Sequence, residues 1–443
     1  MSDALPLPPR PNLEQYKKLA KDLQKACKAG DPAAVRDWAR RWMETLARLQ
    51  GRAATPEVRE EIRGSAEQVE RHLNKIQKAN ARLARCTLAS AQLMVARCHG
   101  FASWPRFAQH LRALKAANSE VSKFELAAHA IVEGNLKALE KLLRENPELV
   151  RARSTREHRS TLLHYVSANG IEDFRQKTPQ NSVDIAKLLL DAGAAVNAES
   201  DAYGGRSTPL SLTATSFHPQ AAGLSIPLME LLISRGAALD GPEGGSTVVS
   251  CLRNGRGEAA KFLAARGARL DLEGAAGVGR LDIVASFFND EGLLRPTATP
   301  EQMKAGFAWA SEFGQTVVVD FLLQRGMHLD AKLPPHGETA LHWAAHGGHP
   351  TTVRLLLERG APVDAKDESF GGTPLGWAMY AWGNASERAA RGNHYEVVAL
   401  LVRAGATLNP QWLEGNDEDR RPAFRRPRSD PRMLAALRGE MPR

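Results

Sequence analysis

His342, His346 and His349 form an HxxxHxxH run. Histidines four apart share one face of a helix, the arrangement from which helix-borne zinc sites are built. No glutamate stands beside His342 as in HExxH, and no carboxylate is suitably placed nearby, so no metal is expected here. Other chemistry finds no footing. There is no GxxxxGK phosphate loop, no GxGxxG after a strand and no GxSxG elbow, so neither a catalytic residue nor a cofactor is expected. A second pattern suits binding instead. Trp309, Trp343 and Trp377 stand at intervals of 34 residues, and tryptophan is the side chain most enriched at interaction hot spots.

A 34-residue period is that of a helix–turn–helix solenoid, in which stacked modules replace a single closed core. The best copy is HGETALHWAAHGGHPTTVRLLLERGAPVDA, His336 to Ala365. It resembles the ankyrin repeat at Thr339, Leu341 and His342, at Ala344 and Ala345, at Gly348 and His349, at Leu355 to Leu357, and at Gly360 and Ala361. The resemblance implies an all-α ankyrin-like solenoid and a protein that binds another macromolecule. His342 and His349 fall where ankyrin repeats carry histidine for structural hydrogen bonding, so the resemblance makes the trio structural. About eight copies follow one another from Ser119, and the first (Glu125 to Val150) is degenerate, as suits a capping repeat. Glycines at 193, 236, 267, 292, 326, 360 and 405 mark the repeat ends, where a left-handed helix cap favours glycine.

At about 100° per residue, Leu341, Ala344 and Ala345 fall in one packed arc and Trp343 about 200° from Leu341. Trp309 and Trp377 share this register, so all three are expected on the concave face, with Phe313, His346 and Tyr380 one turn further along. Turns between repeats supply candidate fingertips: Lys332, His336, Asp367, Glu368 and Phe370. Two readings of the rings stay open. Each packs on its neighbour across a repeat of about 10 Å, or the stripe contacts a ligand; a mixed, partly exposed role is expected.

Three regions are expected: a basic helical domain over residues 1–118, the solenoid over 119–409, and a basic, flexible tail over 410–443, with a short helix at Pro431 to Leu437. In the first, PRPNLEQYKKLAKDL with KAGDPAAV, and LASAQLMVARCHGFASWPRFAQHL, resemble a helical module that often precedes ankyrin repeats in bacterial proteins. Its last helix pair, with Arg106, Gln109, Arg112 and Lys115, roughly fits a DNA-reading hairpin, but Trp104 and Pro105 open the second helix where polar base-readers belong. Three repeats carry insertions between their helices, at Ile171 to Gln180, Phe217 to Gly223 and Ala381 to Gly392. These either bind or are tolerated surface.

The 443 residues are 43% hydrophobic and 25% charged, ordinary for a soluble protein, and no apolar run approaches membrane-spanning length. Net charge is +9, with 22 Lys/Arg against 11 Asp/Glu in residues 1–118 and 8 against 2 in 420–443, leaving an acidic middle. Cys27, Cys86, Cys98 and Cys251 lack CxxC spacing and suit a reducing compartment, and no secretory signal is read, so a cytoplasmic protein is expected. The resulting expectation is a non-enzymatic protein that binds a protein partner. The alternative is nucleic-acid binding through the basic ends, which high salt would weaken steeply.

Overall fold

A computed structural model describes residues 5–7, 11–29, 32–49, 55–79, 87–116, 118–167, 172, 175–384, 388–414, 427 and 430–441. Among these the chain is helical, with only isolated β-bridges at the turns, and no helix is long and apolar enough to cross a membrane. It divides into two compact units, residues 1–243 and 244–443.

The first unit opens with α1 (Leu13–Lys28), α2 (Pro32–Leu49), α3 (Pro56–Ala79), α4 (Leu88–Cys98) and α5 (Trp104–Lys115). Asn12 caps α1 by accepting from the Glu14 N–H at 3.0 Å, and Thr87 caps α4 through the Ser90 N–H at 3.1 Å. The apolar stripes of these helices close over Tyr16, Leu23, Trp38, Trp42, Val95, Phe101, Phe107 and Leu111. Three helix pairs follow: α6 (Glu120–Val132) with α7 (Leu136–Glu145), α8 (Leu162–Val166) with α9 (Ser182–Asp191), and α10 (Pro209–Thr215) with α12 (Ser225–Ser234). The second insertion folds as α11 (Phe217–Ala221).

Residues on both sides of position 118 share one compact unit. The turn after α7 packs into the α4–α5 corner: Glu157 N–H donates to the Gly100 carbonyl at 2.8 Å, His110 Nδ1 meets Thr155 Oγ1 at 2.7 Å, and Arg156 lies over the Phe101 ring. Arg156, 2% exposed, anchors a buried network. Its guanidinium donates to Glu125 at 2.6 Å, and Arg175 donates to Glu125 at 2.8 Å and to Glu172 at 2.9 Å. Glu172 also accepts from the Tyr165 hydroxyl at 2.6 Å and bonds His158 Nε2 at 2.9 Å. Because Glu172 and Arg175 belong to the first insertion, that loop is tied inward at these residues instead of presenting them to a partner.

A chain beginning at residue 119 strips Phe101 and His110 from this network, leaving charge in a hole that neither packs nor hydrates well. The fragment 119–409 is therefore expected to melt well below the full chain, or to lose helix in its first repeats. A fragment with the full chain's melting temperature by circular dichroism would contradict this reading.

The second unit stacks five pairs: α13 (Thr247–Arg253) with α14 (Gly257–Ala265), α15 (Leu272–Val278) with α16 (Leu281–Ser286), α17 (Pro300–Glu312) with α18 (Thr316–Gln324), α19 (Ala340–Gly347) with α20 (Pro350–Glu358), and α21 (Pro374–Asn384) with α22 (Arg388–Arg403). First helices pack on first helices and second on second, giving two layers. Small residues let the inner layer close: Ala275, Ala276, Ala308, Ala310, Ala344 and Ala345 are all fully buried. All seven repeat-end glycines have positive φ; six follow an outer helix, whereas Gly292 sits in the turn between the bridged Phe288 and Leu294. Cys98 and Cys251 are buried, which pushes both thiols up to about 12, while Cys86 lies outside the described residues.

After α23 (Gln411–Glu414), residues 430–441 are not the free tail expected. Helix α24 (Pro431–Leu437) packs on α22, because Met433, Ala436 and Leu437 form an apolar stripe that is at most 1% exposed. Tyr395 donates to Asp430 at 2.7 Å, and Arg403 donates to the Gly439 carbonyl at 2.6 Å. The Arg/Pro-rich stretch before it lies mostly outside the described residues.

Candidate recognition surface

Register on the inner helices is set by their caps. In α19, the Thr339 N–H donates to His342 Nδ1 at 3.0 Å, so the ring proton sits on Nε2 and is donated to the Gly372 carbonyl at 3.0 Å in the next turn. The same pattern joins Thr161, His164 and the Ser207 carbonyl. Burial lowers the pKa of both histidines, His164 to about 4. His349 Nε2 donates to the Glu312 carbonyl at 2.7 Å, and a Cβ on Gly347 would run into that same oxygen. His342 and His349 are thus committed to hydrogen bonds linking neighbouring repeats, while His346 stands apart from them. The expected carboxylate vacancy is not quite right: Glu312 Oε1 lies 3.7 Å from His346 Nδ1.

The three tryptophans form a ladder. Ring centroids are 5.7 Å apart from Trp309 to Trp343 and 5.4 Å from Trp343 to Trp377, tilted at 59° and 70°. These are the tilted and edge-to-face geometries that aromatic quadrupoles favour. Packing between repeats dominates, since Trp309 and Trp343 are only 8% exposed, less than the expected mixed role required. Trp309 Nε1 donates to Glu273 at 2.9 Å and Trp377 Nε1 to Asp367 at 3.1 Å, whereas Trp343 Nε1 is buried without a partner among the described residues. His346 sits beside the lower rungs, 6.3 Å from Trp343 and 5.6 Å from Trp377.

One turn along, the column at the 34-residue spacing reads Glu312, His346, Tyr380. Phe313, placed there by the sequence reading, belongs elsewhere: it caps α17 and its ring lies against Gly257 of an earlier repeat. The correct residue was Glu312, three positions after Trp309 as His346 is three after Trp343.

The fingertips divide into two kinds. Lys332, His336, Glu368 and Phe370 are exposed. Lys332 Nζ donates to the Lys366 carbonyl at 2.7 Å and the Glu368 N–H to the His336 carbonyl at 2.9 Å, tying adjacent tips together. Asp367 is not a fingertip. It is 4% exposed, and its carboxylate accepts from the N–H groups of Ser369, Phe370 and Gly372 as well as from Trp377. Burial raises its pKa, but these four donors outweigh that and hold it below the usual carboxylate value.

Phe370 and Tyr380, 83% and 60% exposed, line a concavity of about 920 Å³ together with His346, Trp377, Met379 and Trp412. Four of the expected contact residues therefore meet at one opening. Trp309, Trp343 and Phe313 do not line it, nor do Lys332, His336, Asp367 and Glu368. Met379 and Trp412 were missed. Met379 lies on the face that helical periodicity assigns to packing, and Trp412 stands beyond the last recognisable repeat.

With this geometry established, residues 307–412 match the family model described as ankyrin repeats (3 copies). Among solved structures, the crystal structure of the human ASB11 ankyrin repeat domain is similar at 20% identity, covering 64% of this chain and 99% of that one, with a TM-score of 0.32. No curated protein matches the sequence. The chain is an all-α protein with an ankyrin-like solenoid. Ankyrin repeats generally mediate protein–protein interaction and typically serve as non-enzymatic scaffolds.

Proposed function

We propose that this chain is a non-enzymatic recognition protein that holds a segment of another protein at the concavity beside α19 and α21. The observation that carries the reading is the pair of exposed aromatics, Phe370 and Tyr380, facing an apolar hollow floored by Trp377 and Met379. Large apolar side chains left in water around a concavity are costly unless something covers them. The ladder behind them is buried and close-packed, which favours a hollow that loses little conformational entropy on binding. Buried thiols at Cys98 and Cys251 suit the reducing cytoplasm as its place of action. Nucleic acid is not favoured at this hollow, because it offers one lysine, Lys366, against Asp364 in its lining and Asp367 and Glu312 beside its lining residues.

Photo-crosslinking tests this. A benzophenone side chain at position 380, in the native cytoplasm, is expected to capture a discrete protein, unaffected by nuclease. The same group at Val317, 67% exposed on the outer helix α18, is expected to capture none. Equal capture at both positions, or capture abolished by nuclease, would overturn the proposal.

A further inference from the structure

We infer that the side chain this hollow selects from its partner is cationic, a lysine or arginine held by the aromatic walls in the field of buried carboxylates. The inference rests on the protein-recognition reading above and adds the chemistry of what is recognised.

Three carboxylates lie around the lower rungs of the ladder: Glu312 beside His346, Asp367 under Trp377, and Glu338, 0% exposed, in the turn before α19. Among the described residues, no lysine or arginine nitrogen comes within ion-pair distance of any of them; the one imidazole neighbour is His346, at 3.7 Å from Glu312. Elsewhere in the same unit a buried carboxylate beside the ladder is paired. Glu273, under Trp309, receives the Arg253 guanidinium at 3.1 Å. One Oε atom of Glu312 and one of Glu338 are buried with no hydrogen-bond partner, and so is Trp343 Nε1. Three carboxylates without a lysine or arginine partner among the described residues thus lie behind the walls of the hollow, against the one lining lysine, Lys366, whereas Glu273 further up the ladder is paired.

Lys366 lines the hollow together with Asp364, and Lys332 lies nearby; both lysines are exposed, so water and salt screen them. Buried carboxylates are screened far less, and their field reaches the hollow through packed protein. The walls complement that field. Tyr380 and Phe370 offer exposed ring faces, and Trp377 a partly exposed one, and aromatic faces attract cations most when water is excluded. An arginine or lysine satisfies both halves of the site, its stem covering Met379 and Trp412 and its charge lying against the rings.

The test uses the full chain labelled with 5-fluorotryptophan, with the Trp377 resonance assigned through Trp377→Phe. The probes are blocked arginine and lysine amides, with blocked norleucine and glutamate amides alongside. Arginine and lysine are expected to shift the Trp377 signal saturably, at least about fivefold more tightly than norleucine, the discrimination given by a cation–π contact of about 1 kcal/mol. Glutamate should be weaker still. Tyr380→Ala and Glu312→Gln should each reduce the preference for the cations. Tyr380 is exposed, so the first of these leaves the fold intact. Equal binding of norleucine, preference for glutamate, or no shift of Trp377 with any probe would overturn the inference. Each of those results leaves the crosslinking test of protein recognition standing on its own.

Discussion

Between pH 7 and pH 5 the N-terminal unit is expected to lose on the order of 5 kcal/mol of stability, from three histidines acting together. His99 is stacked on Phe107 at 5.1 Å and fully buried, and burial lowers its pKa to about 3. Burial and the neighbouring Arg156 lower His110 to about 4, and burial lowers His164 to about 4. Each is neutral in the fold at pH 5, whereas an unfolded histidine takes up a proton near pH 6.5. A depressed histidine therefore costs stability as pH falls below about 6.5, at about 1.4 kcal/mol per pH unit, until its folded pKa is reached. Glu125, near 2, and Glu172, well below its usual value, are held down against burial by Arg156 and Arg175. Their contribution is present above the unfolded carboxylate pKa and is lost only as pH falls toward 2, so it cannot explain a loss at pH 5. Urea unfolding at pH 7, 6 and 5 measures the effect, and amide exchange in α4, α5 and α8 locates it. Stability that stays flat from pH 7 to pH 5 would contradict the account.

Trp343→Ala is expected to cost about 3–5 kcal/mol, the range for truncating a large buried aromatic. The ring contacts a tryptophan on each side, and its Nε1 has no partner among the described residues, so what is lost is packing and cavity rather than a hydrogen bond. Trp343→Phe keeps an aromatic edge between the two neighbours and should recover much of the loss. A denaturant midpoint within about 1 kcal/mol of the parent for Trp343→Ala would mean that the ladder does not hold the repeats together.

How far residues alone predict such a site depends on how local the cause is. The Thr339–His342 cap and the repeat-end glycines are legible, because each acts within a few positions and has a fixed backbone requirement. The ladder is legible through its spacing. Its second column was misread because aromaticity suggested Phe313, although three residues after Trp309, as in the other two repeats, stands Glu312. Asp367 looked like any charged turn residue; only the path of the turn brings three N–H groups and an indole around it. The Glu125–Arg156–Glu172–Arg175 network could not be read at all. Glu125 lies 31 residues from Arg156 and 50 from Arg175, and charged residues are ordinarily assigned to solvated surface.

In the function proposed above, the ladder holds the repeats and the exposed rings beside it recognise the partner. Those two roles separate most cleanly in Tyr380→Ala, measured for both melting temperature and affinity toward the protein captured at position 380. The ring is 60% exposed and its side chain supports no neighbour in the ladder, so melting should be unchanged. Affinity should fall by about thirtyfold, the roughly 2 kcal/mol typical of an aromatic hot spot. Unchanged affinity with unchanged melting would contradict the central claim, because the hollow would then be solvent-facing surface and recognition would lie elsewhere on the chain.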